Sequence, residues 1–270
     1  MKELITRIIV ALIGIPLLVF LIWQGTWYFF ALILVITIGG QIEFYNTAKN
    51  KKIDAQYMPG ISAAVLTLLA VQTGGNSRII AVLVLLILFI FIFELFRKKS
   101  SAIINTAVTI LGIVYPGLFL AAILFLRNNI EGLNISSAAG FMLTLFVSIW
   151  ACDTFAYFVG KPLGKHRLFE RVSPKKSIEG AVGGLFGSIL VFLTAHYMDW
   201  YYISFSMALL SGIIVGIFGQ TGDLIESWFK RDSGVKDSSS ILPGHGGFLD
   251  RFDSLIFVSP LFYLVYLLAV

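Results

Sequence analysis

Runs of apolar residues longer than any soluble core requires dominate this sequence. Nine of them fall at about 5–23, 26–45, 57–74, 79–96, 103–126, 137–160, 180–200, 203–228 and 254–270. A helix crossing a bilayer needs about 20 mostly apolar residues, and it satisfies its own backbone where lipid offers no hydrogen-bond partner. The composition agrees, with 58% hydrophobic and 13% charged residues and a mean hydropathy of +0.90. A soluble domain carries about 25% charged residues, so a water-soluble globule, a disordered chain and a low-complexity chain are excluded. The alternating segments of roughly 10 residues that build a membrane β-barrel do not occur. The expected fold is all-α: a polytopic integral membrane protein of about nine transmembrane helices, the fifth kinked at Pro116.

The first run follows Lys2 and Arg7, as a signal peptide would. Its apolar stretch from Ile8 to Trp23 exceeds a usual signal core, and Trp23-Gln24-Gly25 is no small-residue cleavage site. It is read as a retained span. Basic residues then set the orientation. Lys2 and Arg7, Lys49, Lys51 and Lys52, Arg97, Lys98 and Lys99, Lys161, Lys165, Arg167, Arg171, Lys175 and Lys176, and Lys230, Arg231, Lys236 and Arg251 share one side. Only Arg78 and Arg127 of the 20 Lys and Arg fall on the other. The positive-inside rule places the N-terminus and the even-numbered loops in the cytosol. The single cysteine, Cys152, permits no internal disulfide.

The two parts of the chain differ. Residues 1–136 form a transmembrane region of about five helices with short loops. Residues 137–270 form a region of about four helices with two long cytosolic loops, 161–179 and 229–253, rich in Gly, Ser, Lys, Arg and Asp. Loops of this length in a compact membrane protein are usually functional. No internal repeat is evident, which disfavours an inverted-repeat transporter.

Acidic residues in a span cost about 2.5–3.5 kcal/mol each near its centre. Asp153 lies inside the sixth run and Asp223 near the end of the eighth, while Asp250 and Asp253 open the ninth. All four belong to the cytosolic ends of their helices. Asp223, Glu226, Ser227 and Lys230 share one helical face by i+3 and i+4 steps, in line with Gly212, Gly216 and Gly219. Those glycines also serve ordinary helix packing. The run 180–187, with four glycines, is read as packing rather than phosphate binding.

The long loops supply the complementary charge. Ser173-Pro174-Lys175-Lys176-Ser177-Ile178-Glu179-Gly180 sits at the headgroup level before the seventh span. Pro243-Gly244-His245-Gly246-Gly247 can turn several backbone N–H groups toward an anion. It leads into a helix N-terminus that also favours negative charge. Lys230, Arg231, Lys236 and Arg251 flank it, so a phosphate-rich ligand is expected. His245 is either a donor to phosphate or a structural residue.

Residues 227–253 carry a resemblance. Ser227, Phe229-Lys230-Arg231, Lys236-Asp237, Ser239, Leu242-Pro243, His245-Gly246-Gly247-Phe248 and Asp250-Arg251-Phe252-Asp253 resemble the signature of the phosphatidate cytidylyltransferase (CDP-diacylglycerol synthase) family. The 173–180 segment resembles that family's Ser-Pro-Lys-Lys-Thr-x-Glu-Gly, with Ser177 in place of Thr. The likeness is strong over about 150–253; earlier residues match only in being multi-spanning. It implies transfer of a cytidylyl group from CTP to phosphatidate, giving CDP-diacylglycerol and pyrophosphate for phospholipid biosynthesis, with Mg²⁺ and room for a second cation. Asp223 and Asp250 would hold the metal, with Asp153 or Asp253 as further ligands. Lys230 and Arg251 would join Asp223 and Asp250 in catalysis. Ser173, Lys175, Lys176, Arg231, Lys236, His245, Gly246 and Gly247 would bind substrate. The partners are CTP, phosphatidate and the lipid bilayer, with no nucleic acid; a homodimer is compatible with the sequence. The site would face the cytosol from the inner membrane.

The chemistry is consistent with that implication. The attacking group is a phosphate monoester oxygen, ionised at neutral pH, so no strong base is needed. The reaction needs carboxylate-held cations, Lys and Arg to offset charge, and in-line positioning. No Ser-His-Asp or Cys-His arrangement is evident. Two other functions use the same residues: a CTP-dependent polyprenol kinase-like phosphotransferase, and an ion-coupled transporter with Asp153 and Asp223 as relay sites.

Overall fold

The computed structural model describes residues 2–269, apart from 75, 100, 134, 240, 242, 243 and 245, with side chains described except at 2–5, 7, 9 and 76–78. The described chain is almost wholly helical: α1 (Lys2–Gln24), α2 (Thr26–Lys49), α3 (Tyr57–Gln72), α4 (Asn76–Phe96), α5 (Ala102–Gly112), α6 (Phe119–Asn129), α7 (Ala138–Leu163), α8 (Ile178–Tyr197), α9 (Phe205–Ile214), α10 (Gln220–Asp232) and α11 (Leu249–Ala269). Among the described residues, seven helical stretches are long and apolar enough to cross a membrane. Two shorter apolar helices, Val10–Gln24 and Tyr57–Gln72, coincide with the first and third apolar runs. The chain is a multi-pass membrane protein. Ile80, Leu85, Leu95 and Phe96 on α4 are 66–83% exposed, a surface that water would not tolerate as a contiguous patch and that lipid covers.

Two stretches depart from a plain α-helix. Between α5 and α6 the chain widens into a π-turn, Ile113–Leu118, that contains Pro116. Proline has no N–H to donate to the carbonyl four residues back, here Gly112. Gln41 on α2 supplies the missing donor: its Nε2 reaches Gly112 O at 3.0 Å and Gly60 O at 3.2 Å. A second π-turn, Val215–Gly219, joins α9 to α10. Side chains again meet the carbonyls, with Ser188 Oγ donating to Gly212 O, Gln220 Nε2 to Gly216 O and Ser254 Oγ to Gly219 O. One short antiparallel hairpin, β1 (Arg167–Phe169) with β2 (Ser173–Ser177), lies in the long 161–179 loop. It qualifies the all-α expectation there.

The chain divides into two compact units. The first comprises Met1–Leu21, Thr26–Phe125 and Phe229–Phe252. Tyr45 centres its core, fully buried, with its hydroxyl donating to Thr109 O at 2.9 Å. A Cβ at Gly60 or Gly112 would run into its ring. Phe229 packs edge-on against Phe44 and Tyr115, which draws the 229–252 segment into this unit.

The second unit comprises Ile22–Gly25, Leu126–Trp228 and Asp253–Val270. Its core is the α7–α8 pair. A Cβ at Gly180 would sit 2.8 Å from Ala156 O, and one at Gly184 would sit 2.9 Å from Cys152 O. The absence of side chains is what lets the two backbones approach, as expected for the 180–187 glycines. Gly212 and Gly216 pack in the same way on Ile189 and Leu185 of α8.

Candidate active site

In the second unit a cavity of about 460 Å³ gathers charged side chains from three elements. From α7 come Asp153, Tyr157 and Lys161, one helical face at i, i+4 and i+8. β2 brings Lys175, Lys176 and Ser177, and α10 brings Gln220 and Asp223. Gly160 and Gly180 leave the wall open where the two helices cross. Lys176 Nζ lies 2.5 Å from Asp223 Oδ2, and both side chains are about one-third exposed. Lys161 Nζ reaches Tyr157 Oη at 3.1 Å.

The segment around β2 is shaped by its own polar residues. Ser177 caps α8 by accepting from Gly180 N at 3.1 Å. The Glu179 carboxylate accepts from Lys165 N at 3.1 Å and lies 2.6 Å from His166 Nδ1. Both ends of the hairpin are thereby tied to the start of α8. Lys175 remains exposed at its rim.

Asp253 at the start of α11 is buried and faces the charges of Asp223, Glu226 and Asp153. Its own oxygen accepts from Ser254 N at 2.6 Å. An all-oxygen donor set suits Mg²⁺. Among the described residues no three His, Cys, Asp or Glu side chains stand close enough to form a ready metal cage. Magnesium usually takes one or two carboxylates plus substrate phosphates, so the donor set fits on that footing.

In the first unit the 229–252 segment forms a second charged cluster. Lys230 Nζ lies 2.6 Å from Asp250 Oδ1, both side chains largely buried. Asp250 Oδ2 also accepts from Gly247 N at 2.8 Å and Ser238 N at 3.2 Å. Gly244 and Gly246 adopt the left-handed backbone expected of them, with φ of +74° and +84°. Three of the N–H groups at this turn and helix start face the chain's own carboxylates. Gly247 donates to Asp250, while Phe248 and Leu249 donate to Glu43 at 2.9 and 2.8 Å. Two of the chain's own carboxylates thus occupy the helix N-terminus. Arg231 Nη1 donates to Val235 O, and Lys236 and Arg251 are exposed. Ser173 lies at the start of β2, half-buried. His245 lies outside the described residues.

A family model described as "Cytidylyltransferase family" matches residues 5–269. A phosphatidate cytidylyltransferase of Synechocystis is 37% identical over 279 residues, covering 95% of this chain and 94% of that relative. Another, of Staphylococcus haemolyticus, is 35% identical over 262 residues and covers 95% of each. The chain belongs to the cytidylyltransferase family. The matches extend the resemblance beyond residues 150–253 to the N-terminal helices.

Sequence reasoning missed several residues of this family member's clusters. Lys161 counted only toward topology, although its i+8 spacing from Asp153 puts both on one face. Tyr157 carried the same signal. Glu43, Gln220 and Ser238 had no local signal, because their roles depend on partners distant in sequence.

Proposed function

We infer that this chain is a phosphatidate cytidylyltransferase. It transfers a cytidylyl group from CTP to phosphatidate, giving CDP-diacylglycerol and pyrophosphate. Near-full-length similarity to two relatives of that name carries the reading, and the cavity with Asp153, Asp223, Lys161, Lys175 and Lys176 supplies a chemistry to match.

In the reaction a phosphatidate oxygen forms a bond to the α-phosphorus of CTP while the bond to the pyrophosphate oxygen breaks. The nucleophile needs no proton removed at neutral pH. The chain's task is to hold two polyanions together and absorb the charge of the leaving group. Lys175 and Lys176 offer ammonium groups to phosphate oxygens from β2, and Lys161 does so from α7. Asp223 keeps Lys176 oriented through their ion pair. Arg231, Lys236 and Arg251 add positive charge, and Lys230 reaches phosphate when released from Asp250. Ser173, Gly246, Gly247 and His245 complete the proposed substrate contacts.

A divalent cation, Mg²⁺ first, is held through carboxylates among Asp153, Asp223 and Asp253 in the second unit, and Asp250 is the candidate metal ligand in the first. Each of Asp223 and Asp250 already binds one cationic group, an ammonium. When bound, the metal supplies Lewis-acid charge to phosphate oxygens. A second cation fits the same carboxylate supply. The site faces the cytosol, the side of the basic loops, where CTP is and where the phosphate of phosphatidate in the inner leaflet sits.

Purified protein in detergent micelles, given phosphatidate, Mg²⁺ and CTP labelled in the cytosine, is expected to move label into the lipid fraction. Label confined to the aqueous phase, with phosphoryl transfer to a polyprenol instead, would decide for the phosphotransferase alternative.

A further inference from the structure

One buried carboxylate in the first unit lies outside the residues assigned to that reaction. Glu43, near the end of α2, is fully buried. Its carboxylate accepts four hydrogen bonds, all from residues about 200 positions later. Oε1 accepts from Ser239 Oγ at 2.6 Å and Phe248 N at 2.9 Å. Oε2 accepts from Ser238 Oγ at 2.9 Å and Leu249 N at 2.8 Å.

These donors come from both ends of one loop. Ser238 and Ser239 lie on its near side, Phe248 and Leu249 where α11 begins. One carboxylate therefore closes the loop into a ring and satisfies two orphan N–H groups at the helix start. The fit is tight, since a Cβ at Gly247 would collide with both Ser238 Oγ and the Glu43 carboxylate.

The contact continues to Asp250. Ser238 Oγ lies 2.9 Å from Asp250 Oδ2 as well as from Glu43. A hydroxyl has one proton, so it donates to one carboxylate at a time and couples the two. Asp250 in turn holds Lys230 at 2.6 Å.

We propose that Glu43 is a positioning residue for this reaction. From the N-terminal half of the chain it anchors the 238–249 loop and sets Asp250 and Lys230 for substrate without touching it. The proposal rests on the reading that the 229–252 segment belongs to the active centre.

The test compares the full-length parent with Glu43→Gln, Glu43→Asp and Asp250→Asn in micelles. Glu43→Gln keeps the shape but turns an amide toward four donors. It is expected to lower kcat/KM for CTP by about tenfold or more. Hydrogen exchange should rise in 235–249 and stay at the parent level in α3–α5. Glu43→Asp keeps the charge and should recover part of the loss. Parent-like kcat/KM in Glu43→Gln would overturn the proposal. So would a loss accompanied by equal exchange increases across α3–α5, the mark of a general structural role. Should Glu43→Gln not fold, Ser238→Ala with Ser239→Ala removes the two side-chain donors. The same loop-specific change is expected there, and parent-like kinetics would again overturn it. Full activity in Asp250→Asn would instead remove the active-centre reading, whatever Glu43 does.

Discussion

Asp223 and Lys176 illustrate how two residues share one task. Their ion pair, 2.5 Å long and partly exposed, costs little to open when a phosphate arrives, because exposed pairs contribute only about 0–1 kcal/mol. The lysine is thereby held ready without being trapped. Asp223→Asn is expected to lower turnover by about a hundredfold or more, as loss of a transition-state charge partner does, with an unfolding midpoint close to the parent's. Near-normal turnover would remove Asp223 from the site. Lys176→Ala should raise the Michaelis constant about tenfold, and unchanged values for both substrates would count against a binding role. Asp153 and Asp223 were legible in the sequence because charge in an apolar run has to be explained, and Lys175 and Lys176 because they sit in a long basic loop at the headgroup level. Glu43 was not. Beside the Lys49, Lys51 and Lys52 cluster it resembles an ordinary interfacial residue, and its meaning appears only when the loop returns to it.

Elements show a different balance. The glycines of α8 were readable as a packing face, and the contacts of Gly180 and Gly184 with the α7 backbone explain why. Gly184→Leu would force α7 and α8 apart and is expected to cost about 1–3 kcal/mol or more, measured as a lower unfolding midpoint in micelles. A midpoint equal to the parent's would mean that the helices have slack the geometry does not show. The kink at Pro116 was also readable; its remedy was not. Nothing near Gln41 in sequence announces that its amide will serve a carbonyl 71 residues away. Gln41→Leu leaves Gly60 O and Gly112 O without this donor, a loss of about 1–3 kcal/mol per buried group. The unfolding midpoint of this variant should fall, and the 113–118 turn should exchange faster than α7 and α8. An unchanged midpoint would show that another donor takes over. The 167–177 hairpin escaped a reading by hydrophobic period because its strands are short and polar.

For the whole molecule, the apolar runs determine the fold class and the basic residues its expected orientation. Helix ends moved by several residues, because α10 and α11 extend into polar sequence that hydropathy alone assigns to a loop. Orientation can be tested directly, since the chain's one cysteine is buried and serves as an internal control that should resist labelling. Lys165 and Glu131 are exposed positions on loops assigned to opposite sides. Lys165→Cys should react with a membrane-impermeant thiol reagent only in inverted vesicles, and Glu131→Cys only in intact cells or spheroplasts. The strong asymmetry of Lys and Arg makes this a sharp expectation, because each basic residue held on the wrong side works against the rule that orients the early helices. The reverse pattern would put the Lys175 and Lys176 cavity on the outer face. CTP would then have no access to it, and a mechanism drawing its nucleotide from the cytosol would fail even if every contact within the cavity stood.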